Sequence, residues 1–427
     1  MDWIEEILDA GRKHADEVEV YYTEGVSVSA ELKKNILEVA TESRSQGLGI
    51  RTIREGRIGA SSTNDLKRWR ECLDAALASG NLASPQKWLG LPEPAEITRE
   101  APIADPDLTT DPAVAKGLVE GMIRGASCHP VDVTGGSAGL SRITVTLANT
   151  RGVHYKDTWT YVRLSLETIK EQSTGSEFDT SAFIGDVSAE HVGEEAAFLA
   201  AASVKGSDIE TGSYDVILSP IAAAQLIGTV FVPALSGRNV HAGRSRLANR
   251  IGEKVTDEML SVYDDPFVRG VGSTTWDAEG VPTDRLDFVK DGVLQGFAYD
   301  LKTAYRYGKE STGSAIRGGY GGAPSIGVHN LIIDGERSDV RGERAIYIHD
   351  VVGAHTANSL SGDFSVELSN PFWVEDGEFQ EPIRKAMFAG NVFDLLSSIG
   401  GLGKESRIVG PMILPDMRFG KQRIIGK

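Results

Sequence analysis

Cysteine is scarce in this chain: Cys72 and Cys128 are the only two in 427 residues, and they form no C-x-x-C pair. That excludes a disulfide framework and a cysteine-rich zinc module, and it suits a reducing compartment, so the expected location is the cytoplasm. Positive charge is also short, with 44 Lys and Arg against 61 Asp and Glu, a formal charge of −17 and a pI near 5.0. Nucleic-acid binding needs clustered cations to displace counterions, and the one basic run, Arg238 to Arg250, is brief, so no nucleic-acid partner is expected. Long apolar runs are limited to the 20 uncharged residues from Val216 to Leu235. Ser219, Pro220, Gln225, Gly228, Thr229 and Pro233 interrupt that run, which fits a buried helix over 219–235 better than a membrane span. The segment MDWIEEILDA lacks the basic and apolar regions of a signal peptide and reads as a first helix.

Catalytic signatures are missing or broken. There is no phosphate-binding P-loop. GGSAG at 135–139 has the lettering of a hydrolase nucleophile elbow, but the strand-like LSRITVTL follows it where a helix is required. It is therefore expected to be a glycine-rich turn with Ser137 inert. The glycines of GLGIRTIREG and RGGYGGAPSIG do not follow a strand and open a helix, so a dinucleotide cradle is not expected. A zinc hydrolase needs two histidines on neighbouring helical turns and a third ligand. The eight histidines stand at His14, His129, His154, His191, His241, His329, His349 and His355, and no two share a helical turn. The nearest pair, His349 and His355 with Asp350 between them, converges only if VVGA bends, which leaves a stand-alone metallopeptidase as one alternative. His241 has Arg238, Arg244 and Arg246 around it, which disfavours its protonation and a nearby cation, so an anion or partner contact is expected there.

What is present suits an ordinary globular protein, 41% hydrophobic and 25% charged, long enough for two cores. Residues 2–14 carry a one-sided apolar stripe, Trp3, Ile4, Ile7, Leu8 and Gly11. Alternating strands follow, with a hairpin turn at Glu55-Gly56, then a helix from Asp65 as N-cap to Gly80 as stop. A Pro-rich crossing, a helix over 112–125, long strands bent at Arg151-Gly152 and a helix capped by Ser188 complete the first half. GSDIETGSY marks the boundary, giving an expected N-terminal domain 1–205 and C-terminal domain 206–427. Beyond the buried helix, Asp291-Gly292, Asp334-Gly335 and Asp376-Gly377 separate short strands. The expected fold class is α+β: helices on a curved antiparallel sheet, then a mostly antiparallel, barrel-like or strongly curved sheet with a buried helix.

The strings AGRSRLANRIGEKVTDEMLSVYDDP, FDTSAF, DAEGVPTDRLDFVKDGVLQGFAYDLKTAYRYGKESTGSA and LSGDFSVELSNPFWVEDGE resemble the TldD/PmbA family, once called modulators of DNA gyrase, and the likeness covers the whole chain. The family pairs two related subunits. A TldD-like one binds zinc through a His-Glu-x-x-x-His helix and a C-terminal cysteine; a PmbA- or TldE-like one lacks them. Counting back from RIGEKV without gaps puts that window on GTVFVP, so Gly228, Thr229 and Pro233 stand where the two histidines and the glutamate would be. None of the three can ligate zinc or act as a general base, and the C-terminal RIVGPMILPDMRFGKQRIIGK has no cysteine. The resemblance thus implies a non-catalytic, zinc-free subunit beside a TldD-like zinc protease, acting on unfolded peptides within a homo- or hetero-oligomer. Expected partner or peptide contacts are Arg238, His241, Arg244, Arg317, Gly318, Gly319, His349 and His355. A structural or regulatory homo-oligomer is the other alternative.

Overall fold

The computed structural model describes residues 2–426. Its first half contains α1 (Asp2–Gly11), β1 (Glu17–Lys33), β2 (Ile36–Arg54), β3 (Arg57–Thr63), α2 (Trp69–Leu82), α3 (Pro112–Ala126), β4 (Asp132–Asn149), β5 (His154–Lys170), β6 (Ser173–Ser181) and α4 (Ala189–Ala202). The six strands form one antiparallel sheet in the order β3-β2-β1-β4-β5-β6, curved into a half-barrel. Strand periodicity decides its two faces. Val18, Val20, Val28, Ala30 and Leu32 all point the same way, toward the helices: α1 and α2 close one apolar cluster over them, α3 and α4 a second. Glu19 and Tyr21 point to the opposite face, where the second half of the chain docks. The Glu55-Gly56 turn has φ of 51° and 72°, as a two-residue hairpin connection requires.

Two glycine readings change. Gly80 does not stop α2, which runs on to Leu82; it packs against the backbone of Gly59, where a Cβ would lie 2.0 Å from the Ala76 carbonyl. The conformation of Gly80 is helical, and it is the missing side chain of Gly59 that permits the close helix–sheet approach, since a Cβ at Gly80 would make only ordinary contacts at 3.4 Å. GGSAG is not a turn. It lies inside β4, and the Ser137 hydroxyl bonds that of Ser165 across the ladder at 3.0 Å.

The second half contains β7 (Gly212–Leu218), α5 (Pro220–Ala234), α6 (Gly237–His241), β8 (Ser261–Asp264), β9 (Leu286–Lys290), β10 (Val293–Leu294), α7 (Leu301–Tyr307), β11 (Ala315–Ile316), β12 (Ser325–Ile326), β13 (Leu331–Asp334), β14 (Ala345–Val352), β15 (Asp363–Glu375), β16 (Glu378–Pro382), β17 (Met387–Asn391), α8 (Val392–Leu396), β18 (Ile399–Val409) and β19 (Met412–Ile425). Strands β7, β14, β15, β17 and β19 close on themselves, because β19 pairs with both β17 and β7, and this ring is the expected barrel. Pairing is antiparallel except for β14 with β7 and β13 with β19. The uncharged run is α5, which begins at Ser219: that side chain accepts from the N–H groups of Ile221 and Ala222, and Pro220 follows at the first turn. Its buried face, including Leu226, Ile227, Val230 and Phe231, packs on β14, β18, β19 and α8 in the largest apolar cluster of the protein.

The halves meet through buried charge. Arg51 bonds Glu19 at 2.5 Å and Glu279 at 2.6 Å, and Arg317 bonds the other oxygen of Glu19. Burial works to raise the Glu19 carboxyl, but Arg317 and Arg51 outweigh it and hold it below its usual range. Beside them, burial and the charge of Glu279 push Asp277 up to about 7. Its carboxylate accepts from the N–H groups of Glu279, Val281 and Ala315, so it organises the docking loop.

Candidate functional site

The outward stripe of α5 is where zinc chemistry would sit by family resemblance. Its half-buried positions are Gln225, Gly228, Thr229, Val232 and Pro233, one continuous face at helical spacing. Gln225 is committed to Asp350, to which its amide donates, and burial pushes that acid up to about 6. A Cβ at Gly228 would meet the Met412 methyl at 3.2 Å, so a neighbouring side chain already closes over the position. β19, the strand nearest the C-terminus, carries no cysteine. With no imidazole, thiolate or carboxylate on the stripe, these residues do not fit a zinc ion. At the end of α5 a groove of about 260 Å³ is lined by Val232, Pro233, Arg238, Phe288 and Ile326.

His241, the last residue of α6, lies flat on Tyr307 with ring centroids 3.8 Å apart, and its Nε2 is 3.3 Å from the Tyr299 hydroxyl. Burial, and then Lys309, hold its pKa below the ordinary value. The expected cause was different, and the arginines are occupied elsewhere: Arg238 faces Asp300 at 3.6 Å, and Arg246 donates to the Ser361 carbonyl and to Asn391. Arg244 is exposed. Gly318 and Gly319 lie at the surface of the loop between β11 and β12. Arg317 is not a surface contact; its side chain is 4% exposed and bonded to Glu19.

His349 and His355 do not assemble a site with Asp350. His355 is exposed in a short turn after β14, whereas the His349 side chain is buried and points toward the first half. There it meets Glu177 of β6 and Glu195 of α4. Glu177 accepts from Arg407 of β18 at 2.6 Å and from its own neighbour Phe178 N–H at 2.7 Å. Burial, then the like charge of Glu177, raise the Glu195 carboxyl, and burial lowers the His349 imidazole despite Glu177. Of this cluster Glu177 and Arg407 line a cleft of about 820 Å³ between the halves, into which Asp179, Arg341, Tyr347 and Asp416 also face. Arg341 and Asp416 pair at 2.7 Å, and burial still leaves Asp416 raised. Glu177, Glu195 and Arg407 were absent from the residues singled out by sequence. They come from three separate elements, and FDTSAF, beginning one residue after Glu177, served only as a family string.

Sequence models of the PmbA/TldA metallopeptidase family match most of the chain: domain 1 over residues 18–80, the central domain over 101–204 and the C-terminal domain over 211–426. Among solved structures, TldE from Thermococcus kodakarensis is similar, with TM-score 0.92 and 28% identity over 99% of this chain and 100% of that one. Among curated relatives, the metalloprotease PmbA of Escherichia coli O157:H7 is 26% identical over 97% of this chain and 94% of its own length. The metalloprotease TldD homolog of Haemophilus influenzae is 23% identical over 93% and 87%.

Proposed function

Because the chain belongs to the PmbA/TldD metallopeptidase family, we propose that it is the non-catalytic subunit of a TldD/TldE-type zinc metalloprotease complex acting on unfolded peptides. The observation that carries this reading is the outward stripe of α5, where Gln225, Gly228, Thr229, Val232 and Pro233 offer no zinc ligand and no general base. A TldD-like partner supplies both. The likeness to a TldE supports this division of labour. The groove at Pro233 supports the substrate class: its wall includes Ser325 and Ile326 of β12, which pairs with β11 alone among the described residues. An extended peptide can add to such a strand edge through its own backbone groups, independent of sequence. Arg238, exposed along half of its side chain at the same groove, is the contact we assign to the peptide or to the partner. The complex works in the cytoplasm; no helix among the described residues is long and apolar enough to cross a membrane.

The test is to assay the chain alone for cleavage of an unfolded peptide, then mixed with the TldD-like subunit of the same cell. It is expected to be inert alone, to co-elute with that subunit and to change its rate, with Arg238→Glu weakening the change. Chelator-sensitive cleavage by this chain alone would overturn the non-catalytic role. Failure to co-elute would favour the homo-oligomer.

A further inference from the structure

We propose that Glu177, Glu195 and His349 bind one divalent cation of the zinc class, which clamps β6 and α4 of the first half to β14 of the second. This goes beyond the family's zinc position, which lies on α5 and which this chain does not equip. Each of the three residues offers one donor atom, and the three donors lie within 4.8 Å of one another. Two carboxylates and an imidazole are a donor set that zinc and its first-row neighbours accept.

The geometry around His349 is what a metal would explain. Its side chain is 6% exposed, and Nε2 stands 3.6 Å from Glu177 Oε2. That is too long for a hydrogen bond between the two. The same 3.6 Å is close to the separation of two donors on one tetrahedral zinc, roughly 3.4 Å for ligands about 2.1 Å from the ion. Glu177 is prepared for the role: Arg407 and the Phe178 N–H hold Oε1, which fixes the carboxylate and leaves Oε2 toward His349. Such outer contacts commonly orient metal ligands. Arg407 does not cancel the site, since two carboxylates against one guanidinium still leave it negative, and Arg341 is committed to Asp416. Glu195 is half-buried on α4 and offers the third donor atom. The adjoining cleft, about 820 Å³, supplies an entry path and space for water as the remaining ligand.

The experiment uses the full-length, tag-free protein stripped with a chelator and titrated with Zn²⁺, then with Co²⁺ followed by its visible absorption. One Co²⁺ per chain with a tetrahedral-type spectrum is expected, displaced by Zn²⁺, together with a rise in melting temperature on adding Zn²⁺. Glu195→Gln, at a half-exposed position that leaves the Glu177–Arg407 pair in place, is expected to weaken binding by at least about tenfold. His355→Ala and His241→Ala are expected to bind as the parent does. Should Glu195→Gln not fold, an anomalous difference map from crystals of the parent soaked in Zn²⁺ decides instead, with a peak expected between the three residues. Absence of Co²⁺ binding by the parent, equal binding by folded Glu195→Gln, or a peak elsewhere overturns the proposal.

Discussion

The outward stripe of α5 and the seam between the two sheets are built in opposite ways. On α5 the half-buried outward positions include Gly228, Thr229 and Pro233, and the one polar group of reach, Gln225, is already bonded to Asp350. Along the seam Glu19, Arg51, Glu279 and Arg317 form one buried network and Glu177, Arg407, His349 and Glu195 a second. The first region offers no imidazole, thiolate or carboxylate, while ionisable groups are concentrated in the second. A helix can lose its ligands without losing its fold, because its stability comes from the apolar face that Leu226, Val230 and Phe231 bury. Charges in the seam have no such freedom. Each is desolvated by the docking of the other half, so every partner must stay in place.

That contrast can be broken by substitution. The largest effect is expected for Glu177→Ala, which leaves the Arg407 guanidinium without its carboxylate at a mostly buried position. A loss of roughly 3 kcal/mol in urea unfolding is expected, and a loss under about 1 kcal/mol would show the seam to be loosely held. A second prediction concerns pH. Asp277 is raised to about 7 in the folded protein, so at mildly acidic pH the folded state holds a proton that the unfolded chain, with an ordinary carboxyl near 4, has released. The folded state is therefore favoured at lower pH, and stability falls as pH rises toward 7. The slope is up to about 1.4 kcal/mol per pH unit for one retained proton. Asp277→Asn is expected to flatten that slope between pH 5 and 7, whatever it does to absolute stability. An unchanged slope would assign the proton elsewhere. The smallest effect is expected on α5. Gly228→Ala removes glycine's entropic penalty inside a helix, and the Met412 methyl, the far end of a flexible side chain, can move a few tenths of an ångström. A gain of about 0.5 kcal/mol is expected by thermal or chemical unfolding. A loss would mean that Met412 is held rigidly and that the stripe is as constrained as the seam.

Local elements were readable where one residue sets the geometry. The stripe of α1, the Glu55-Gly56 turn and the cap at Ser188 stand where short-range rules put them, whereas Asp65 caps a short 3-10 turn, Leu66–Arg68, ahead of α2 rather than α2 itself. Glycine misled twice: in GGSAG, Gly136 leaves room for Leu166 and Ser165 of the neighbouring strand, and Gly80 sits inside a helix that runs on to Leu82. The candidate site was readable only in part. His349 and Asp350 drew notice, but their pairing with His355 failed, because β14 buries His349 toward the first half and leaves His355 in an exposed turn. Glu177 and Arg407 are 230 residues apart, and no periodicity links them.

The sequence by itself determined what α5 cannot do. A position without an imidazole, thiolate or carboxylate stays without one however the chain folds, so Gly228, Thr229, Pro233 and a cysteine-free β19 supply no zinc ligand, and that is known before any coordinate. Only the tertiary structure decided where charge is gathered. Strand β6, helix α4, strand β14 and strand β18 meet where the two halves dock, and that long-range docking brings Glu177, Glu195, His349 and Arg407 within reach of one another.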